Sequence, residues 1–343
     1  MTVLLIAAFL GVVFGSSSGE SSISAFISML TLWLPGYLVG RFVCERAGIS
    51  FVKTSIALVF AGVGAMALLE KALSWHPFAA SFGMNSLAEI WAPIQARGGV
   101  ERSEWAFGHS IALGGSLSLA IPFVFTSSMK TRSKLLCLVV ILGGVAATLS
   151  RGAMLAAGLT VLLTLIASGG LKRAHKTLLF VASGILGAFL LADFTAVTEN
   201  AGTEATDSSS YRVSMLVRLL PTLEPFGRST SYLSGPDGQT QYGYYTSIDN
   251  SFLALGLGFG WIAMIVALIP FISMAVRFLR RRASFAEIAL LGQLPVVTTV
   301  AMITQYQVVV WMVVGLAATL AATKPTSGQP EVPRAPIKVS SER

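Results

Sequence analysis

Three arginines, one aspartate and one histidine in this chain have the types and positions to do chemistry. Arg151 lies in Thr148–Met154, TLSRGAM, between two apolar runs with almost no loop to carry it. A guanidinium is planar, stays charged and binds phosphate oxygens in pairs. In so short a turn the group is pre-positioned, and Gly152 beside it lets backbone or ligand approach closely. That combination reads as a phosphate clamp. The plainer alternative is a turn marker whose side chain snorkels to lipid phosphate. An arginine at bilayer depth costs about 2.5–3.5 kcal/mol on insertion scales, and less at a turn.

Arg102 occurs in RGGVERSEWAFGHSIALGG, where it either faces the same anion or pairs with Glu101 or Glu104. Arg212, in SSYRVSML, is either a third anion ligand or an interfacial anchor. The nucleophile or base is then sought nearby. His109, at the mouth of the apolar run that follows Arg102, is either a proton-transfer group or a structurally satisfied histidine; His76 precedes a proline at a helix end and His175 lies in a basic turn. Asp249, in YYTSIDNSFLALG, is either a helix N-cap or, with Asn250 taking that task, a base beside a cationic pocket.

Other chemistries find no support. There is no P-loop and no dinucleotide fingerprint in a strand–helix setting. No D-x-D and no clustered His or Cys ligands suggest a metal, and no cofactor is expected. The two cysteines, Cys44 and Cys137, make no disulfide framework. The net charge of +8 is spread in a way that speaks against nucleic acid. GLGFG lies in an apolar run, where glycines serve packing or a kink.

The elements that must carry these residues are apolar helices. The 343-residue chain is 54% hydrophobic and only 12% charged, with a mean hydropathy of +0.74; soluble domains carry about 25% charged residues. Apolar runs predict an all-α integral membrane protein with about ten spans, at 1–17, 22–43, 51–72, 107–128, 134–149, 152–169, 177–193, 251–276, 286–304 and 306–323. No basic n-region marks a cleaved signal peptide. Seventeen of the 24 cations fall in 41–53, 130–134, 172–176, RFLRRR and the tail. With ten spans those segments share one side, taken as cytoplasmic with both termini.

The other side receives 73–106 and 194–250, with Lys71 and six arginines: Arg97, Arg102, Arg151, Arg212, Arg218 and Arg228. Outer arginines run against the orientation rule and so want a separate reason. The long 194–250 connection should hold a short interfacial helix in YRVSMLVRLLPTL, and 73–106 reads as re-entrant or interfacial. Residues 1–323 form one membrane domain in this reading, and 324–343 a disordered cytoplasmic tail.

ERSEWAFGHSIALGGSLSLAIPF followed by ATLSRGAMLAAGLTVLL resembles the O-antigen ligase/polymerase family of bacterial envelope proteins. So does YRVSML…LLPTLEPFGRST…SIDNSFLALGLGFGWIAMI, and together these cover about 97–276. The resemblance implies a metal-independent, inverting membrane glycosyltransferase of the GT-C kind in the bacterial plasma (inner) membrane, with a periplasmic or extracellular active face. Its donor would be a glycan on undecaprenyl diphosphate. It implies that Arg102, Arg151 and Arg212 hold the diphosphate and that Asp249 deprotonates the acceptor hydroxyl, with His109 at hand. Membrane lipids, and a chain-length regulator or repeat-unit flippase, are the partners it implies.

Ligases of the family resemble one another in a histidine in the large outer loop. Here 194–250 has none, which favours an O-antigen or exopolysaccharide polymerase over a ligase moving finished glycan to a lipid or protein. A transporter or flippase of an anionic lipid is the alternative of another class. Transporters place ionisable groups near the midplane, often with repeats; these spans are almost free of charge and show no repeat.

Overall fold

The computed structural model describes residues 27, 29–78, 94–97, 99–168, 202–234, 240–300, 302 and 304–322. The expected spans 1–17 and 177–193, the 172–176 basic segment with His175, residues 79–93 and 98 of the 73–106 connection, and the tail lie outside these residues. Within them the protein is mostly helical, a multi-pass membrane protein by its apolar helices. Three helices are long and apolar enough to cross a membrane: Ile49–Leu73, Trp261–Leu279 and Gln305–Ala322.

A π-helical turn, Met29–Trp33, leads into α1 (Leu34–Ala47). After Gly48 comes α2 (Ile49–Leu73). The apolar run at 107–128 is two helices, α3 (Ser110–Leu119) and α4 (Ile121–Thr126), with Pro122 near the start of the second. Proline is tolerated in a first turn, where its missing N–H has no helical partner in any case. Then follow α5 (Thr131–Ala147) and α6 (Arg151–Ala167). The 202–219 region forms α7 (Gly202–Leu219), longer than the short interfacial helix expected there. Beyond it lie α8 (Ser251–Phe259), α9 (Trp261–Leu279), α10 (Phe285–Leu291), α11 (Leu294–Val297) and α12 (Thr304–Ala322). Two small antiparallel ribbons qualify the all-α expectation: β1 (Ala96–Arg97) with β2 (Val100–Glu101), and β3 (Tyr232–Ser234) with β4 (Thr240–Tyr242).

Side-chain contacts set the helix directions. α2 and α5 run parallel: Ser50 meets Ser128 at one end (3.2 Å), Gly64 faces Val140 and Ile141, and Ser103 ties Ala67 to Ala147 at the other. α1 and α12 are also parallel, with Gly36, Gly40 and Gly315 admitting the facing backbone and Trp33 stacked on Trp311 at 5.3 Å. Small residues allow this close approach where no hydrophobic effect drives helices together. α10 and α11 run antiparallel to α6, with Gly292 against Thr160 and Gly152 against Thr299.

The expected single span 251–276 is two helices that fold back on each other. Phe252 packs on Phe271 at 5.6 Å, and the site of Gly256 faces Met264. Gly260, with φ +96° and ψ 158°, makes the reversal, and a side chain there would strike the Pro225 carbonyl. α8 therefore belongs to a layer with α7 and its following loop. That layer has its own core of Met215, Leu219, Tyr245, Leu253 and Leu257, separate from the bundle's core. Such small satellite clusters are usual beneath long loops.

The bundle has two chemically different ends. One gathers Lys53 over Phe285, Lys134 bound to the Phe125 carbonyl (2.9 Å), and the ion pair of Arg277 Nε with Glu287 (2.6 Å). The other carries the candidate site.

Candidate functional site

The connection between α5 and α6 is three residues long, Thr148–Leu149–Ser150. Leu149 adopts a left-handed conformation (φ 48°), uncommon for a residue with a branched side chain. That bend reverses the chain with no loop and leaves two carbonyls facing the segment before α3. Arg102 donates Nε–H to the Thr148 carbonyl at 2.9 Å, and Arg97 donates to the Leu149 carbonyl at 3.0 Å. Ser150 caps α6, accepting from Ala153 N at 3.3 Å. Arg151 is therefore the first residue of that helix, half-buried, one peptide beyond the carbonyls that Arg97 and Arg102 grip.

The Arg102 segment is held from both flanks. Its backbone N–H bonds to the Gln95 carbonyl at 2.9 Å, and Ser103 N to Ala147 O at 3.1 Å. Glu104 is buried and accepts from Gln95 N at 2.9 Å. Burial raises its pKa, against the opposing pull of the Gln95 hydrogen bond and of Arg102. Glu101 faces His76 at 3.2 Å.

His109 caps α3, and its Nδ1 accepts from Ile111 N at 3.2 Å. That bond requires Nδ1 to be unprotonated, which puts the proton of the neutral ring on Nε2. Burial, with a smaller contribution from the Arg102 charge, depresses its pKa to about 4.

Arg212 and Asp249 meet each other. Arg212 Nη2 lies 3.7 Å from Asp249 Oδ2, with both side chains about one-third exposed. At that distance the pair is electrostatic rather than hydrogen-bonded, worth about 0.2–1 kcal/mol. Arg212 Nε is buried and makes no hydrogen bond. Ser247 Oγ donates to Asp249 Oδ1 at 3.1 Å, and Tyr211 Oη donates to the Ser247 carbonyl at 2.8 Å. The N-cap of α8 is Asn250, whose Oδ1 accepts from Leu253 N at 2.9 Å. Asp249 thus stands outside the helix cap.

The two halves share a wall. Asn250 Nδ2 donates to the Thr298 carbonyl at 3.0 Å and Ser251 Oγ to the Val300 carbonyl at 2.7 Å. At the same turn, the site of a Gly152 side chain would lie 3.0 Å from Thr299 Oγ1. Gly152, next to Arg151, and Asn250, next to Asp249, therefore meet the same turn at one end of the bundle. Among the described residues, no cluster of His, Cys, Asp and Glu is arranged to hold a metal.

Three parts of this arrangement escape a reading of the sequence. Thr298–Val300 lie inside the expected span 286–304. Arg97 is one of several outer arginines, with nothing to single out its reach to Leu149. Glu70, whose carboxylate accepts from the Glu104 and Trp105 backbone N–H groups beside Arg102, is an acid inside an apolar run, and that is a signal, since intramembrane ionisable groups are rare and usually have a task.

Residues 136–268 match the family model described as O-antigen ligase. The match is to the family that the sequence resembles; it covers less than half of the chain and takes in Arg151, Arg212 and Asp249 but neither Arg102 nor His109. Proteins of this family are enzymes of membrane glycan processing that act on lipid-linked glycans. No curated protein and no solved structure matches the chain.

Proposed function

We propose that this O-antigen ligase-type chain is a polymerase, joining undecaprenyl-diphosphate-linked repeats at the extracytoplasmic face of the bacterial plasma membrane. In this reading Arg102, Arg151 and Arg212 take the diphosphate of the donor. Asp249 removes the proton of the acceptor hydroxyl, whose oxygen attacks the anomeric carbon. The C–O bond to the diphosphate breaks with inversion, and the arginines stabilise the charge that develops on the departing group. His109, with Nδ1 spent on its helix cap, serves as a neutral hydrogen-bond donor through Nε2.

The observation that carries the proposal is the shared wall: Asn250, Ser251 and Gly152 all meet residues 298–300. It brings the Asp249 and Arg151 segments, about a hundred residues apart in the chain, to the same turn. Asp249 also suits a base because Asn250 occupies the cap. The absence of histidine from 194–250 supports polymerase over ligase.

The test uses lipid-linked repeats extracted from the host and the full-length protein in nanodiscs. Wild type should extend the glycan on the lipid carrier. Arg151→Ala, Arg151→Lys and Asp249→Asn should each lose about 100-fold or more in rate, as removal of one transition-state contact or a general base does. Wild-type chain lengths in both Arg151 variants would refute the clamp. Polymer found on a separate lipid or protein acceptor would assign the ligase reaction instead.

A further inference from the structure

Glu70 is an acid near the end of α2, 2% exposed, in a helix otherwise built to face lipid and apolar neighbours. Burying a carboxylate is expensive unless its oxygens are hydrogen-bonded. Here both oxygens are engaged. Oε2 accepts from the backbone N–H of Glu104 at 3.0 Å and of Trp105 at 2.8 Å. Oε1 meets His76 Nδ1 at 3.0 Å, and His76 Nε2 meets Glu101 Oε2 at 3.2 Å. Lys71 adds a bond to the Glu101 carbonyl (2.5 Å), and Ser103 Oγ one to the Ala67 carbonyl (2.8 Å).

All four residues from Glu101 to Glu104, and Trp105 after them, lie in or beside the segment that presents Arg102. Trp105 has a left-handed backbone (φ 41°), and residues 102–104 lie between the end of β2 at Glu101 and a 3-10 turn at Trp105–Phe107. Without Glu70, the N–H of buried Glu104 and that of half-buried Trp105 would lose this acceptor.

We infer that Glu70 is a positioning residue: its carboxylate fixes the 101–105 backbone so that Arg102 is held against the Thr148 carbonyl, the placement from which it would serve the donor's diphosphate. This rests on the proposed role of Arg102. Glu70 touches neither donor nor acceptor and acts through the backbone it holds. Hydrogen bonding rather than charge alone does the work, because two of its three partners are neutral amides.

The experiment measures binding of sugar-free undecaprenyl diphosphate to the full-length protein in nanodiscs, with hydrogen–deuterium exchange of the same samples. Glu70→Ala should weaken binding about tenfold or more, the usual effect of losing hydrogen bonds to a charged group. Glu70→Gln keeps a carbonyl oxygen for the two amides and should restore binding to within about threefold of wild type. The double variant Glu70→Ala/Arg102→Ala should bind no worse than Arg102→Ala, since the two residues act as one unit. The amides of Glu104 and Trp105 should exchange slowly in wild type and Glu70→Gln and fast in Glu70→Ala.

Unchanged exchange in Glu70→Ala would overturn the positioning role whatever the binding result. Loss in the double variant equal to the product of the single losses would show Glu70 acting on something other than Arg102. Equal binding by wild type and Arg102→Ala would instead remove the diphosphate reading of Arg102, and this inference with it.

Discussion

His109 shows how a single side chain can be read in two ways and be constrained by its hydrogen bonds. Its Nδ1 caps α3, and burial holds its folded pKa near 4, below the ordinary 6.5. A depressed pKa means that the folded protein binds fewer protons than the unfolded chain between those values. The contribution to stability is then complete above about pH 6.5 and is lost as pH falls toward 4. Thermal unfolding in detergent should be insensitive to this group from pH 8 to 6.5 and should weaken steadily below that. His109→Asn, which retains a cap oxygen, should flatten that part of the profile. His109→Ala should flatten it too, while lowering stability at pH 7.5 by about 1 kcal/mol through loss of the cap. A profile unchanged by either substitution would assign the acid sensitivity to groups other than His109.

At the scale of elements, the reversal at Gly260 decides where α8 sits. Its φ and ψ belong to a region essentially reserved for glycine, and the Pro225 carbonyl and Phe226 Cα close off the space a side chain would need. Gly260→Ala should destabilise the fold by about 1–3 kcal/mol or more, read as a lower melting temperature and faster proteolysis in 220–262. Gly258, with open space around it, should accept alanine at little cost. Equal tolerance at both positions would mean that the helix pair does not turn there. The sequence conceals this turn for a physical reason. LALGLGFGWIAMIV is apolar on both sides of Gly260, so hydrophobic periodicity continues through a reversal as it would through a straight span. The same masking hides Thr298 and Thr299, two hydroxyl residues in an apolar run whose carbonyl and side chain become a wall only when α6 and α8 arrive from elsewhere.

For the molecule as a whole, the sorting of charge was legible. The basic segments at 41–53, 130–134 and 277–282 sit by the helix ends remote from Arg102 and Arg151, as loop cations predict when a bundle threads back and forth. The site was legible only in part. Residue type and spacing pointed to Arg151 and to the Asp249–Asn250 pair, because a cation with no loop and an acid beside a better cap are visible in one dimension. The partners of Arg102 were not, since Thr148 lies 46 residues away and its carbonyl carries no signature of its residue type. Cysteine labelling tests the two-ended arrangement in a variant with Cys44 and Cys137 replaced by serine. Ser128→Cys and Tyr244→Cys are both exposed positions. In oriented vesicles they should react with a membrane-impermeant maleimide from opposite faces. Labelling of both from one face would break the assignment of ends.

The satellite core under α7 and α8 has one more consequence. Arg212 and Asp249 are both fastened to it, through Tyr211, Ser247 and the cap at Asn250, whereas Arg102 and Arg151 are fastened to the bundle. Acid and cation on that raft share a fate: erosion of Met215 or Leu257 would shift the two together, preserving their mutual spacing while altering their offset from the bundle's arginines. Damage far from any reacting atom would then look, in an assay, like a loss of alignment between two intact halves.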